Sequence, residues 1–224
     1  SHRHAFGARL SEQPLMQNVL ADLAIESEAA TTLMLRMARA MDHQDNEHER
    51  LLSRIATPVG KYWICKRTPH HAYEAMEVIG GSGVMETHIM ARLFRESPIN
   101  AIWEGSGNVQ CLDILRAIEK QPEVLDAYFA ELGLSQGANG HLDRFIHQLQ
   151  RQMQDTQPLQ YRARQLADGM ALALQGALMV QHAPAYVADA FCAGRLADRS
   201  GLNTGTLPTG LDCAAIIQRA RPVE

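Results

Sequence analysis

Residues 14 to 28 read Pro14-Leu15-Met16-Gln17-Asn18-Val19-Leu20-Ala21-Asp22-Leu23-Ala24-Ile25-Glu26-Ser27-Glu28, and the pattern continues to Met41. Leu15, Met16, Val19, Leu20, Leu23, Ala30, Leu33, Met34, Met37 and Met41 recur at steps of three and four. That spacing puts them on one stripe of an α-helix and predicts an amphipathic helix from about Pro14 to Met41. The charged stretch Asp42 to Arg50 reads as a hydrophilic turn before Leu51, Leu52 and Ile55. Pro58 is placed in the first turn of a further helix carrying Trp63, Ile64, Tyr73, Met76 and Ile79, which Pro69 is expected to kink or divide. Gly80, Gly81 and Gly83 end it.

Further along, a short helix is predicted around Ile89 to Phe94, then an extended Ser97-Pro98-Ile99-Asn100 and a loop, Ile102 to Gly107. Val109, Leu112, Ile114, Leu115 and Ile118 return to helical spacing up to Lys120, where Gln121-Pro122 closes the segment. Long helices with short joins imply an antiparallel bundle. Beyond Pro122 no lysine appears, and Gly133, Gly137 and Gly140 suggest a hinge. Two units are therefore expected, 1–120 and 121–224. The second is again helical, with Leu142, Phe145, Ile146, Leu149 and Met153 on one face, an Ala/Leu-rich run from Leu166 to Met179, and a loop from Gly201 to Gly210.

Composition agrees with an all-α chain. Of 224 residues, 46% are hydrophobic and only 5% aromatic, thin in the types that build sheets. A formal net charge of −4 gives no general attraction to phosphate backbones or anionic lipid. Cys65, Cys111, Cys192 and Cys213 form no CxxC pair and read as core residues in a reducing compartment. No apolar run is long enough to span a membrane, and the first residues lack the apolar core of a signal peptide, so the chain is expected to be cytoplasmic. Its start without Met suggests a piece of a longer polypeptide.

Three constellations could carry chemistry. His43, Asp45, Glu47 and His48 are close in sequence, but without an HExxH helix or a Cys/His quartet a charged turn explains them, and no metal site is assigned. Glu77-Val78-Ile79-Gly80-Gly81-Ser82-Gly83 lacks the Gly-Lys-Ser/Thr of a phosphate loop and ends a helix, so a C-terminal glycine turn accounts for it. In Ala101-Ile102-Trp103-Glu104-Gly105-Ser106-Gly107-Asn108, one carboxylate stands between bulky apolar residues and two glycines. Partial desolvation there would raise its proton affinity toward that of a general base, and Ser106 and Asn108 could cap the next helix or meet ligand oxygens. The same residues also read as a capped loop with a solvent-exposed Glu.

Taken together, Arg3-His4-Ala5-Phe6-Gly7, Glu77 to Gly83, Arg92-Leu93-Phe94-Arg95-Glu96 and Ile102 to Gln110 resemble, in order and spacing, the C-terminal part of the acyl-CoA dehydrogenase family. The likeness is greatest to the branch tied to the bacterial adaptive response to DNA alkylation and continues through the arginine-rich tail. It implies the family's C-terminal helical bundle with an additional helical extension, the N-terminal helical and middle β domains lying outside this sequence. It further implies an FAD-dependent oxidoreductase in which Glu104 removes the α-proton of an acyl-CoA thioester and hydride goes to flavin N5. Arg3 and Phe6 match positions at the FAD pyrophosphate and ring across a subunit interface, implying a homodimer or homotetramer. Gln13, Glu77, Val78 and Gly81 match the adenine and ribose end. Ser106 and Asn108 match flavin contacts, and Ile102 and Trp103 wall the flavin and acyl pocket. Glu77 stands where many members carry Gln, Val84 where an aromatic is usual, and Trp103 where Tyr is frequent.

In that branch the tail has a proposed role with double-stranded DNA. After Gln121, eight arginines face ten carboxylates, so the segment is slightly acidic. Arg144 and Arg151, with His147, share a helical face, and with Arg162 and Arg164 they are the candidate nucleic-acid contacts. A solvated face of salt bridges is the competing reading. Two functions from other classes stand beside the dehydrogenase: a DNA-binding protective flavoprotein with weak dehydrogenase activity, and an oligomerisation domain. The fragment alone is expected to be inactive.

Overall fold

The computed structural model describes residues 3–155, 159–197 and 203–221. Among them are nine α-helices: α1 (Pro14–Asp42), α2 (Glu47–Ile79), α3 (Ile89–Glu96), α4 (Gly107–Lys120), α5 (Glu123–Gly133), α6 (Gly140–Gln154), α7 (Leu159–His182), α8 (Ala185–Arg195) and α9 (Cys213–Arg219). The described β structure is a two-residue hairpin, β1 (His4–Ala5) against β2 (Ala8–Arg9), with Ala5 opposite Ala8. The chain is all-α, as its spacing predicts.

Pro14 opens α1 at a position where its missing N–H is no loss. The charged stretch is less of a turn than expected. Asn46 accepts from the Glu49 N–H, so α2 begins at Glu47, and Glu49 is buried against α1. A larger difference concerns the prolines. Pro58 is not in a first turn and Pro69 does not divide the segment, since both lie inside the 33-residue α2. An interior proline costs about 3 kcal/mol or more. Here packing outweighs it, because α2 touches α1, α3, α4, α5 and α7 and buries Leu52, Ile55, Val59 and Trp63. Ser97–Ala101, expected to be extended, is a 3₁₀ turn with Pro98 at its start.

The apolar faces meet in one core. Ile25 and Leu33 of α1, Leu52 and Ile55 of α2 and Ile114 of α4 join Tyr128, Leu142, Leu149, Met170, Leu174 and Phe191 from α5 to α8 without interruption. Packing therefore continues through the boundary expected near residue 120. Trp63 Nε1 donates across this seam to Gln175 Oε1 at 2.8 Å, and within the second half the Tyr128 hydroxyl donates to Met170 O at 2.7 Å. Cys111 and Cys192 are core residues as predicted, whereas Cys65 and Cys213 are half-buried; all four are free thiols. No described helix is long and apolar enough to cross a membrane.

Two arginines of the tail tie back to α1. Arg195 donates to the carboxylates of Asp22 and Glu26, and Arg219 grips Glu28 with bonds of 2.8–3.0 Å. Asp22 also accepts from the Gly205 N–H at 2.8 Å, which pins the loop before α9. The first residues of the loop expected at Gly201 to Gly210 lie outside the described residues, as do Asp198, Arg199 and Glu224.

Candidate active site

The loop between Ala101 and α4 turns through two consecutive left-handed residues, Glu104 at φ 51° and Gly105 at φ 100°. Glycine adopts that conformation freely; Glu104 does so at a cost and needs surroundings that impose it. Two side chains do. Lys61 of α2 donates to Asn100 O at 3.0 Å, Trp103 O at 2.7 Å and Gly105 O at 2.9 Å. Gln110 of α4 donates to Glu104 O at 3.1 Å and Gly105 O at 3.2 Å. A side chain at Gly105 would meet Gln110 Nε2 at 2.5 Å, so close approach and backbone both require glycine.

Glu104 itself is exposed. The partial desolvation expected from its apolar neighbours is absent, because Ile102 (62% exposed) and Trp103 (56%) also point outward and shield nothing. Any wall around this carboxylate must come from atoms outside this chain. Ser106 stands at the N-cap of α4 but makes no capping bond with its side chain, contrary to expectation. Asn108 lies within the first turn, and its Oδ1 accepts from Arg164 Nε of α7 at 2.9 Å. Nearby, Asp168 is bonded to Tyr62; burial pushes its carboxyl above the ordinary range, against the lowering effects of that bond, Arg67 and Arg164.

A second group forms at the other end of α2. Arg3 Nη1 donates to Ile79 O at 2.8 Å and overlies Gly80, where a Cβ would sit 2.6 Å from that nitrogen. Gly80 has φ 78°, and its N–H closes the helix on Met76 O and Glu77 O. Gln13 Nε2 reaches Ala5 O at 3.2 Å and braces the hairpin, whose turn holds Phe6 left-handed (φ 53°) and 96% exposed. Glu77 and Gly81 are exposed and Val78 is half-buried beside them. A guanidinium, an outward aromatic ring and an open glycine backbone suit a flat ligand bearing phosphates, and Glu77 suits hydroxyl groups rather than phosphate. Burial and the neighbouring Glu77 charge raise the carboxyl of Glu74.

The two groups are not one cavity. Lys61 and Ile79 are 18 residues apart on one helix, which at 1.5 Å per residue is about 27 Å. Arg3 and Glu104 thus face separate regions of the surface.

The candidate nucleic-acid residues also divide. Arg144 and Arg151 are exposed on α6, with Arg144 Nη2 3.0 Å from His141 Nδ1. Arg162 instead bonds Gln152 O and Asp155 O, and Arg164 bonds Asn108, so both serve internal contacts. Among the described residues no group of three His, Cys, Asp or Glu could share a metal ion. His48 lies 3.4 Å from Glu131 instead of joining His43 and Asp45. Sequence reasoning missed Lys61 and Gln110. The available signal was that Lys61 is the one charged residue from Ile55 to Cys65.

Comparison with known proteins defines the class. The family model for the acyl-CoA dehydrogenase C-terminal domain matches residues 1–119, and the chain belongs to that family. AidB of Escherichia coli K12, assigned by name to the acyl-CoA dehydrogenases, is 40% identical over 200 residues, covering 89% of this chain and 37% of AidB. An alignment that long extends well into the tail. The structure of Caenorhabditis elegans ACDH-11 in complex with C11-CoA superposes with a TM-score of 0.76 at 26% identity, over 87% of this chain and 38% of that one. A Bacillus anthracis acyl-CoA dehydrogenase complexed with FAD shares the fold at 18% identity, with a TM-score of 0.59 over 86% of this chain and 40% of that one. The chain thus spans about two fifths of these relatives.

Proposed function

We propose that this chain is the C-terminal portion of an FAD-dependent, acyl-CoA dehydrogenase-like oxidoreductase in which Glu104 takes the α-proton of an acyl-CoA thioester. The observation that carries the reading is the mounting of Glu104. Its strained backbone is held by five hydrogen bonds from Lys61 and Gln110, so an exposed carboxylate projects from a rigid base. Strain imposed at one acidic residue is a mark of a working group. The exposed Ile102 and Trp103 supply apolar surface beside it, on which the remainder of the protein would close and exclude water. FAD would supply the hydride acceptor, flavin N5.

On this reading Arg3 binds the cofactor's pyrophosphate as a guanidinium fork, and Phe6 lies against its rings. Gln13, Glu77, Val78 and Gly81 form the adenine and ribose end. Ser106 and Asn108 face the flavin at the start of α4, where N–H groups and the helix dipole favour electron-rich oxygens. The separation of Arg3 from Glu104 supports their serving two different cofactors in a dimer or tetramer. Alone, the chain lacks what would bury Glu104 and is expected to be inactive.

The test uses the complete flavoprotein. Glu104→Gln should slow thioester-dependent bleaching of the flavin at least 10²-fold, the lower range of a general base's contribution. Bleaching at the parental rate would refute the assignment.

A second reading, binding of double-stranded DNA by the tail in a protective flavoprotein of the alkylation response, is favoured by one observation. Arg144 and Arg151 are exposed on α6, whereas Arg162, Arg164, Arg195 and Arg219 are bonded to residues outside their own helices.

A further inference from the structure

Lys61 is placed unlike any other lysine in the chain. It interrupts the apolar run Ile55 to Cys65, between the buried Val59 and the buried Tyr62 and Trp63. Its stem is therefore fixed by a helix packed on both sides. An ammonium carries three donors, and all three are used, on Asn100 O, Trp103 O and Gly105 O at 2.7–3.0 Å. These carbonyls belong to the residue four before Glu104, the one immediately before it and the one immediately after it. Carbonyl oxygens converging on one point repel each other unless a cation lies between them. With Glu104 left-handed, the carbonyl oxygens of both its neighbours meet Lys61 while Glu104 itself stays exposed.

We propose that Lys61 is the positioning residue of the site: it draws three backbone oxygens inward and so fixes where the Glu104 carboxylate stands. The proposal rests on Glu104 being the base, and it adds the group that sets the base's geometry. Small displacements of a reacting group reduce the limiting rate while leaving binding of the rest of the substrate intact.

The test compares parental, Lys61→Met and Glu104→Gln forms of the full-length holoprotein with octanoyl-CoA and butyryl-CoA as probes. Lys61→Met keeps the apolar stem and removes the cation. The expected result is a limiting flavin-reduction rate at least tenfold lower, with half-saturating thioester unchanged within twofold. Amide hydrogen exchange over residues 101–106 should be faster, with exchange in α1 and α7 unchanged. If Lys61→Met does not fold, Lys61→Gln, which retains two donors without charge, should show the same shifts at smaller size. Unchanged exchange at 101–106 overturns the proposal. So does faster exchange with a parental limiting rate when Glu104→Gln is inactive. If Glu104→Gln reduces flavin at the parental rate, the base assignment fails and the positioning role falls with it, whatever the exchange shows.

Discussion

Arg36 of α1 and Glu131 of α5, 95 residues apart, are joined inside the protein by two hydrogen bonds of 2.6 and 2.9 Å. Arg36 also bonds Glu49 of α2 through Nη1 and Nη2, at 2.6 and 3.2 Å, so one guanidinium ties three helices. All three side chains are largely removed from solvent. Breaking such a cluster differs from replacing it, because desolvated charge is costly only when its partner is gone. Arg36→Met should therefore lower stability by about 3–5 kcal/mol in denaturant titration. Adding Glu49→Leu and Glu131→Leu should recover most of the loss.

Acid should weaken the fold in two stages. His71 is shifted down from 6.5, chiefly by burial, so the unfolded chain takes up its proton first and stability falls as pH drops below about 6.5. Glu26 and Glu131 are held below 4.5; burial would raise both, but Arg67 and Arg195 on the first and Arg36 and His48 on the second prevail. Their contribution is complete above about pH 4.5 and disappears as pH falls through the lowered folded values. Asp168, shifted upward, opposes this loss in part. Melting temperature followed from pH 7.5 to 3.5 should decline gently, then steeply; a flat profile would contradict both assignments.

Gly105→Ala tests the strained loop without touching Glu104. A left-handed alanine costs about 1–2 kcal/mol, and the new methyl group meets the end of Gln110. Denaturation should show that loss. Gln110→Ala in the same chain should relieve the crowding but not the backbone cost.

If the tail binds duplex DNA, Arg144→Gln with Arg151→Gln should reduce the slope of log affinity against log salt by about 1.8, the release expected for two phosphate contacts. Arg162→Gln should leave that slope unaltered, since both terminal nitrogens of Arg162 donate to backbone oxygens within the protein.

The sequence and the structure agree most closely where packing is local. The helical spacing of α1 and the glycine stop at Gly80 are short-range signals, and both elements appear as read; the buried face of α1, however, is Ala21, Ile25, Ala29, Leu33 and Ala40, while Leu15, Met34 and Met41 of the expected stripe are exposed. Pro58 and Pro69 misled because their cost is local while the contacts that offset it come from five other helices. At the site, motif order points to Glu104, Arg3 and Gly81, whereas Gly80, which Arg3 overlies, reads only as part of a glycine turn. It could not show that Glu104 is uncovered within this chain, since that depends on which atoms are nearby. Nor did it give Lys61, whose three partners are backbone oxygens and leave no mark in side-chain pattern. The arginines of the tail looked like one basic set, but only their partners distinguish Arg144 and Arg151 from Arg162 and Arg164.

The bonds from Arg195, Gly205 and Arg219 to the acidic side of α1 impose an order of events during synthesis. Asp22, almost wholly enclosed in the finished protein, leaves the ribosome 173 positions ahead of Arg195, the residue that supplies its bonded counter-charge. Until then the nascent helix must keep that edge wet. A chain cut short before Arg195 would leave Asp22 without its bonded counter-charge, and quality-control proteases should find it.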